Sequence, residues 1–233
     1  MAAKTNLILV PGLLCTGRLW AEQISALDDV AACTVADHAR HDSMAGIARS
    51  ILAVAPPRFA LAGLSMGGYI AYEIVRQAPE RVERLALLDT AAAADTPERT
   101  AARRELMATA EREGIARVQE LLLPALVHKT RLADKALVDA VVQMAVDIGL
   151  DAFKRQEEAI IARPDNRPLL RSIRCPTLVL VGEQDALTPI DTAREIAAGI
   201  TGARLEIIPD CGHLSAMERP EAVSQALREW LKA

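Results

Sequence analysis

The feature that most constrains the fold is an alternation of short apolar runs with stretches of helical periodicity along nearly the whole chain. Most of these runs are almost continuously apolar, which is typical of parallel strands buried on both faces of a sheet. Strands that alternate with helices imply right-handed crossovers, and hence a doubly wound α/β fold with a mostly parallel sheet of about six strands. The predicted strands are residues 6–11, 33–36, 59–63, 84–89, 177–182 and 204–209.

The alternation is interrupted once, in a stretch rich in Ala, Leu, Arg and Glu where several helices and no strand are predicted. A long strandless block between two strands of one sheet is most simply a helical insertion. We therefore predict a core formed by residues 1–91 and 173–233, and a helical cap formed by residues 92–172. The cap would sit over the carboxyl edge of the sheet, where open α/β sheets bind ligands, the alternative being a purely structural subdomain. Helix breaks are predicted near Gly114, Pro124, Gly149 and Pro164.

Charge and hydropathy limit the partners of the chain. A formal net charge of -4 and a pI near 5.7 are not typical of a chain with a basic surface for nucleic acid. No window approaches the roughly 18 apolar residues of a membrane helix, and the N-terminal stretch lacks the pattern of a secretory signal. The 4 cysteines are widely spaced, which favours reduced thiols over a disulfide framework or a zinc site. We expect a cytoplasmic protein that binds neither nucleic acid nor membrane.

A serine stands on the corner between a predicted strand and the helix that follows it, in the sequence GLSMGG, residues 63–68. The dinucleotide-binding pattern G-x-G-x-x-G requires glycine at the position of Ser65, because the backbone there approaches a pyrophosphate closely. The pattern G-x-S-x-G fits throughout, since small residues permit a sharp turn that displays the serine hydroxyl above the sheet. Ser65 is therefore predicted to be a nucleophile. The alternative is a dinucleotide-binding turn, in which Asp89, after the next strand, would contact the ribose.

A displayed serine needs a base to accept its proton and an acid to orient that base. His213 is the one histidine in a late loop with a glycine directly before it, so it is the predicted base. The other three histidines lie in an early loop or in the helical block: His38, His41 and His128.

Two carboxylates are candidates for the orienting acid. Asp185 follows the predicted strand at residues 177–182 and is the first choice, because a carboxylate there can hold the imidazole in one tautomer. Asp89, at the end of the strand after the nucleophile, is the rival. Glu183 is expected to be a surface residue in a salt bridge.

Four stretches in this order resemble the α/β-hydrolase fold family, and within it the esterases and 3-oxoadipate enol-lactonase-like members that carry a helical cap. They are PGLLCTGRLW, GLSMGG, LVLVGEQDALTP and CGHLSAMERPEAV, and the resemblance covers nearly the whole chain. The order Ser65, Asp185, His213 is the order of nucleophile, acid and histidine in that family.

The resemblance implies an oxyanion hole formed by the backbone amides of Leu13 and Met66. One departure from the family pattern is Pro11, which stands where many relatives have a histidine before Gly12 and can reshape the nearby pocket wall. The resemblance implies neither a metal nor an organic cofactor. The predicted pocket residues are Leu14, Cys15, Trp20 and Leu214.

The cysteines near these loops and most arginines of the cap are predicted to have structural rather than chemical roles. Cys15 and Cys211 fall on predicted active-site loops but lack the strand–turn–helix context of a nucleophile, so they are predicted to be small apolar lining residues. The arginines of the cap are predicted to form a solvated face, in which one member could meet a substrate carboxylate; they include Arg103, Arg104 and Arg131.

The sequence thus predicts a serine hydrolase that cleaves a small carboxylic ester or lactone through an acyl-enzyme. Acyl transfer or perhydrolysis on the same three residues stays open, as does a receptor-like protein that binds a ligand in the capped pocket without turnover. The chain has only 2 Phe, 2 Tyr and 2 Trp, and Phe153 is the one aromatic residue of the cap. A compact aliphatic pocket for short acyl groups is therefore expected.

Overall fold

Six parallel strands form one sheet in the computed structural model, which describes residues 4–232. The strands are β1 (Thr5–Val10), β2 (Ala31–Val35), β3 (Phe59–Leu64), β4 (Val82–Leu88), β5 (Thr177–Gly182) and β6 (Arg204–Ile208). Their order across the sheet is β2-β1-β3-β4-β5-β6, and each neighbouring pair is parallel. The predicted α/β class, with a doubly wound sheet of about six strands, is confirmed.

Helices connect successive strands and cover the sheet. Short 3₁₀ turns lie at Gly17–Trp20, Pro79–Arg81 and Lys129–Arg131. Within residues 4–232, no helix combines the length and the apolar character needed to cross a membrane. The helices are α1 (Ala21–Ala26), α2 (Met44–Val54), α3 (Met66–Gln77), α4 (Pro97–Glu113), α5 (Ile115–Leu126), α6 (Lys135–Ile148), α7 (Leu150–Ile161), α8 (Arg167–Leu170), α9 (Ile190–Gly199), α10 (Ser215–Glu218) and α11 (Pro220–Lys232).

The sheet is buried on both faces, as its continuous apolar strands require. Successive side chains of a strand point to opposite faces, so Ile8 and Val10 join one core cluster and Leu7 and Leu9 join the other. The first cluster includes apolar residues of α2, α3 and α9, and the second includes apolar residues of α11. Every residue of β3 and β5 is buried, which places these two strands in the middle of the core.

Strand ends differ from the predicted ones by one or two residues, for local reasons. β1 ends before Pro11, which has no N–H to donate to a neighbouring strand. β4 ends before Asp89, whose φ of 46° belongs to the left-handed region that a strand cannot contain. The backbone turn at Asp89 aims its side chain back toward the ends of the neighbouring strands, where it is hydrogen-bonded.

Between β4 and β5 the described chain forms only helices, α4 to α8. α4 packs against α5 and α7, and α5 packs against α6. Gly114 and Gly149 end one helix and begin the next, with φ of 89° and 77°. The predicted break near Pro124 corresponds to the end of α5 at Leu126, because the proline lies in the last turn, where its missing N–H removes one hydrogen bond. The bounds 92–172 for the cap remain a prediction.

The strand order places a topological switch beside β1. The chain leaves β1 for β2 on one side and returns to pair β3 on the other. In open α/β sheets the ligand crevice lies outside the carboxyl ends of the strands at such a switch. The loop after β1 and the turn after β3 therefore face the same crevice.

Candidate active site

In the turn after β3, Ser65 has φ 55° and ψ −115°. This backbone conformation costs free energy for any residue other than glycine. Neighbouring glycines make this turn possible: a Cβ on Gly63 would overlap the backbone of Gly67, and a Cβ on Gly67 would overlap the carbonyl of Val10. The Thr90 hydroxyl donates to the Ser65 carbonyl at 2.8 Å. The turn therefore fixes the Ser65 side chain at the carboxyl edge of the sheet.

The structure brings Ser65, His213 and Asp185 together in one hydrogen-bonded chain. Ser65 Oγ lies 2.9 Å from His213 Nε2, and His213 Nδ1 lies 2.8 Å from Asp185 Oδ2. Asp185 also accepts from the Thr188 hydroxyl at 2.6 Å and from the backbone amides of Leu187 and Thr188 at 2.8 and 2.9 Å. Three bonds besides the one to the imidazole thus hold the carboxylate in place.

Electrostatics favour an ionised Asp185 beside a histidine that protonates readily. Burial alone would lower the pKa of His213, but the charge and hydrogen bond of Asp185 outweigh it and raise that pKa above its ordinary value. Burial likewise opposes ionisation of Asp185, and the charge of His213 with its hydrogen bond lowers the pKa of the carboxyl nonetheless. In the neutral imidazole Nδ1 then carries the proton for Asp185, which leaves Nε2 free to accept from Ser65.

Ester hydrolysis is expected to fall as the pH is lowered through the pKa of His213, because the protonated imidazole cannot accept the Ser65 proton. Since that pKa is raised, the loss begins at a higher pH than an ordinary histidine pKa of about 6.5 would give. The measurement is kcat/KM between about pH 5 and 9, with the melting temperature recorded at each pH to exclude unfolding. A flat profile between pH 5 and 8 would contradict the assignment of His213 as the base.

The rival acid Asp89 is hydrogen-bonded elsewhere. Its Oδ1 accepts from the Gly182 amide at 2.9 Å, and its Oδ2 lies against the hydroxyl and the amide of Ser215, the latter at 3.3 Å. Burial, and then the charge of Asp185, raises the pKa of Asp89 to about 8, so this carboxyl keeps its proton to a higher pH than usual. Of the two candidate acids, Asp185 is the one bonded to the imidazole.

The two amides predicted to hold an oxyanion come from two different segments of the chain. Leu13 belongs to the loop after β1, and Met66 is the first residue of α3. Neither amide donates to a protein acceptor in the part of the chain that the structure describes. Two free N–H groups near a nucleophile are what stabilisation of a developing oxyanion requires.

Gln156 and His38 are buried polar residues that support the loop after β1, a role that the sequence did not reveal. Leu14 has φ of 59°, and its amide donates to Oε1 of Gln156 in α7 at 3.2 Å. His38 donates from Nε2 to the Gly12 carbonyl at 2.9 Å in the tautomer that this contact requires, and burial lowers its pKa. The loop is therefore held from α7 on one side and from the chain after β2 on the other.

The loop that carries His213 is anchored by a buried glutamate in α10 and by the end of α5. The buried Glu218 accepts from the amides of Gly212 and His128 at 3.0 and 2.7 Å. The amide of His213 donates to the Leu126 carbonyl at the end of α5 at 3.0 Å. The only sequence signal for Glu218 is its place shortly after the histidine motif, at the end of α10.

A cavity of about 310 Å³ opens beside Ser65 and His213. Its wall includes loop residues at the carboxyl edge of the sheet and residues of α4, α5 and α7. Of the four residues predicted to line the pocket, Leu14, Cys15 and Leu214 lie on this wall.

The pocket prediction for Trp20 is wrong. Trp20 ends the 3₁₀ turn Gly17–Trp20 and is fully buried, in the core cluster that contains Leu7, Leu9 and Leu19. Leu14 and Cys15, a few residues earlier in the same loop, do line the cavity, but the 3₁₀ turn directs the indole of Trp20 into the core.

The prediction of a solvated face is wrong for one arginine of the cap. Arg103 is only 20% exposed and lines the cavity, with Nε 2.6 Å from Asp95 and Nη1 2.8 Å from Glu157. Its partner Glu157 lies 54 positions away on α7, so no local pattern could reveal the pair. Arg104, by contrast, is largely exposed and pairs with Glu158. Arg131 is partly buried, with its guanidinium on the Glu218 carbonyl.

The two cysteines near the site lack the character of nucleophiles. Burial raises the pKa of Cys15, which lies on the cavity wall, to about 12. Burial, and then the charge of Asp89, also raises the pKa of Cys211, which is buried off that wall. Both therefore remain thiols near neutral pH. In residues 4–232, no cluster of three or more His, Cys, Asp or Glu side chains is placed to hold a metal ion.

Comparison with known proteins agrees with this geometry. A family model described as the alpha/beta hydrolase fold matches residues 47–220. The chain belongs to the α/β-hydrolase fold family. The resemblance predicted from the sequence is thereby confirmed, and the nucleophile turn, the Asp185 loop and the His213 loop all lie within the matched segment.

Solved structures of similar proteins include an esterase and an enol-lactonase. The thermophilic esterase from Thermogutta terrifontis, with malate bound, is 30% identical, with 99% of this chain and 90% of that chain covered and a TM-score of 0.89. The enol-lactonase from Burkholderia xenovorans has a TM-score of 0.90 over 100% of this chain and 93% of that chain; at 24% identity it shows the fold alone.

A curated relative from Klebsiella pneumoniae is a 2-hydroxy-6-oxononadienedioate/2-hydroxy-6-oxononatrienedioate hydrolase. It is 30% identical over 177 residues, which are 73% of this chain and 61% of that protein. The matched segment thus spans less than two thirds of the relative's length.

Proposed function

We propose that the chain is a serine hydrolase that cleaves small carboxylic esters or lactones through an acyl-enzyme. The observation that carries the proposal is the hydrogen-bonded chain from Ser65 through His213 to Asp185 at the wall of a cavity. Membership of a hydrolase family with an esterase among its similar structures supports it.

In the proposed acylation step, His213 Nε2 takes the proton of Ser65 Oγ as that oxygen attacks the ester carbonyl carbon. The carbonyl electron pair moves to oxygen, and the amides of Leu13 and Met66 stabilise the resulting oxyanion. Asp185 stabilises the imidazolium. When the carbonyl re-forms, the bond to the alkoxy oxygen breaks, and that oxygen takes the proton from His213.

Deacylation repeats these steps with water as the nucleophile. His213 accepts a proton from water as the water oxygen attacks the acyl carbon, and the oxyanion again lies against the two amides. Collapse breaks the bond to Ser65 Oγ, which recovers its proton from His213, and releases the carboxylic acid. With a lactone, the alcohol and the acid are the two ends of one product.

The cavity supports a limit on substrate size. Its volume of about 310 Å³ is at the small end of the range for small-molecule sites. Leu106, Leu122 and Leu126 lie on its wall, and Tyr69 is the one aromatic residue there, so apolar contact is available with little stacking.

Hydrolysis of p-nitrophenyl esters is expected to peak at acyl chains of about two to six carbons. Each buried methylene adds at most about 0.8 kcal/mol of binding until the cavity is full, after which longer chains lose contact or must distort the wall. The measurement is kcat/KM from acetate to palmitate, below the micelle concentrations, with Ser65→Ala protein prepared in parallel as the blank. A maximum at long chains, or a rate jump at an oil–water interface, would identify a lipase instead.

The same series separates hydrolysis from its rivals. Product analysis with added methanol or hydrogen peroxide shows whether the acyl group goes to water, to an alcohol or to peroxide. Release of the free acid as the main product in each case supports hydrolysis. Pure, folded protein that turns over none of these esters or small lactones would favour the receptor-like alternative.

A further inference from the structure

Two polar side chains on the cavity wall have buried oxygens with no partner. Gln119 on α5 and Glu157 on α7 are 1% and 0% exposed, and both line the cavity. In the described part of the chain, Oε1 of each residue receives no hydrogen bond. Neither residue takes part in the proposed chemistry at Ser65.

Glu157 is held in a balanced group of charges that uses only one of its two oxygens. Its Oε2 accepts from Arg103 at 2.8 Å, and Arg103 also donates to Asp95 at 2.6 Å. Asp95 in turn accepts from Arg163 at 2.8 Å, and the guanidinium of Arg163 lies over the ring of Tyr69. The carboxylate of Glu157 is therefore fixed in orientation, while Oε1 is left without a donor.

Gln119 presents a second such group from a different helix. Its side-chain amide makes no hydrogen bond to any described residue, although the residue is buried. A buried acceptor without a donor destabilises the folded protein, so such groups are rare in native structures unless they serve another purpose. Four other buried polar atoms of the described chain also lack a partner, but Gln119 and Glu157 are the two acceptors among these residues that belong to the wall of the cavity. Their oxygens are covered in the empty cavity, so a bound molecule can supply the missing donors only when the side chains turn toward it.

We propose that Gln119 and Glu157 form a hydroxyl-recognition subsite that selects esters or lactones with a hydroxyl group remote from the cleaved bond. The proposal deepens the proposed function, on which the identity of the cleaved bond rests. A neutral donor fits better than an ammonium group, because Arg103 already balances the charge of Glu157, and Arg99 on the same wall is also positive.

Binding to the Ser65→Ala protein tests the subsite without turnover. Titration calorimetry compares ethyl hexanoate with ethyl 6-hydroxyhexanoate, ethyl butyrate with ethyl 3-hydroxybutyrate, and hexyl acetate with 6-hydroxyhexyl acetate. In a purely apolar cavity a hydroxyl weakens binding, because it loses its water partners. With the subsite, at least one hydroxylated ester is expected to bind roughly tenfold more tightly than its parent, whereas ethyl 6-aminohexanoate does not.

Variants identify the residues responsible. Gln119→Leu on the Ser65→Ala background is expected to remove the hydroxyl preference and to raise the melting temperature by about 2–4 °C, since it removes an unpartnered buried amide. Gln156→Leu is the matched control: the same exchange at a buried glutamine that accepts from Leu14 is expected to lower the melting temperature. Glu157→Gln is expected to weaken the preference, because an amide is a poorer acceptor than a carboxylate.

The binding and stability measurements test the subsite, whereas hydrolysis by the wild-type protein tests the proposed function. If no hydroxylated ester binds more tightly than its parent, or if Gln119→Leu keeps the preference and lowers the melting temperature, the subsite is wrong. Hydrolysis of the parent esters by wild-type protein would leave the proposed function standing in that case. A hydroxyl preference in Ser65→Ala, combined with wild-type protein that cleaves none of the esters, would support the subsite and overturn the hydrolase proposal.

Discussion

Ser65→Ala is expected to lower kcat for p-nitrophenyl butyrate by about 10⁶-fold while the protein stays folded, because no other group can form the acyl-enzyme. The nearby thiols of Cys15 and Cys211 have raised pKa values and cannot replace the serine. The substitution removes one hydrogen bond, to His213, from a partly exposed side chain, so the melting temperature should change little. Kinetics and thermal denaturation on the same preparation measure both effects.

Covalent labelling provides an independent measurement of the same step. A serine-reactive phosphonate is expected to add one adduct mass to the wild-type protein and to Ser172→Ala, a control that changes an exposed serine outside the cavity wall. Ser65→Ala should gain none. Substantial turnover by Ser65→Ala free of contaminants, or labelling of that variant, would remove Ser65 from the role of nucleophile.

Local pattern was sufficient to predict the fold class and the positions of the strands. Strands buried on both faces are almost wholly apolar, so β3 and β5 were visible as apolar runs ended by glycine or serine. The turn at Ser65 can be recognised from the sequence because the backbone packs too closely there for a side chain, so positions 63 and 67 must be glycine. In both cases the physical constraint acts within a few residues of sequence.

The polar residues that shape the crevice could not be predicted, because their partners lie far away along the chain. Gln156 meets the amide of Leu14 across 142 positions, and Glu218 meets the amide of His128 across 90. A helical residue with a polar side chain is ordinarily exposed, and only packing of α7 and α10 against the core loops buries these two. The same reason explains why Arg103 was assigned to a solvated face.

The final prediction separates the two buried acids. Asp185→Asn is expected to lower kcat by about 10⁴-fold. The NH₂ group of the asparagine would donate to Nδ1 of His213, so the ring proton would stay on Nε2, and Nε2 could then not accept the proton of Ser65. The Asn oxygen can still accept from the amides of Leu187 and Thr188, so the loop and the melting temperature should change little. Steady-state kinetics and thermal denaturation measure the two effects.

Asp89→Asn is the matched control, since it makes the same exchange at a buried carboxyl near the same histidine. Burial and the charge of Asp185 raise the pKa of Asp89, so this carboxyl holds its proton to a higher pH than usual, and asparagine is the isostere of its protonated form. The Asn oxygen can accept from the amide of Gly182, and its NH₂ group can donate to the hydroxyl of Ser215. Only the longer contact with the amide of Ser215, at 3.3 Å, is lost, because an NH₂ group cannot accept. Activity and stability should therefore fall only mildly. If Asp89→Asn instead lost more activity than Asp185→Asn, with both proteins folded, the orienting acid would have to be reassigned to Asp89.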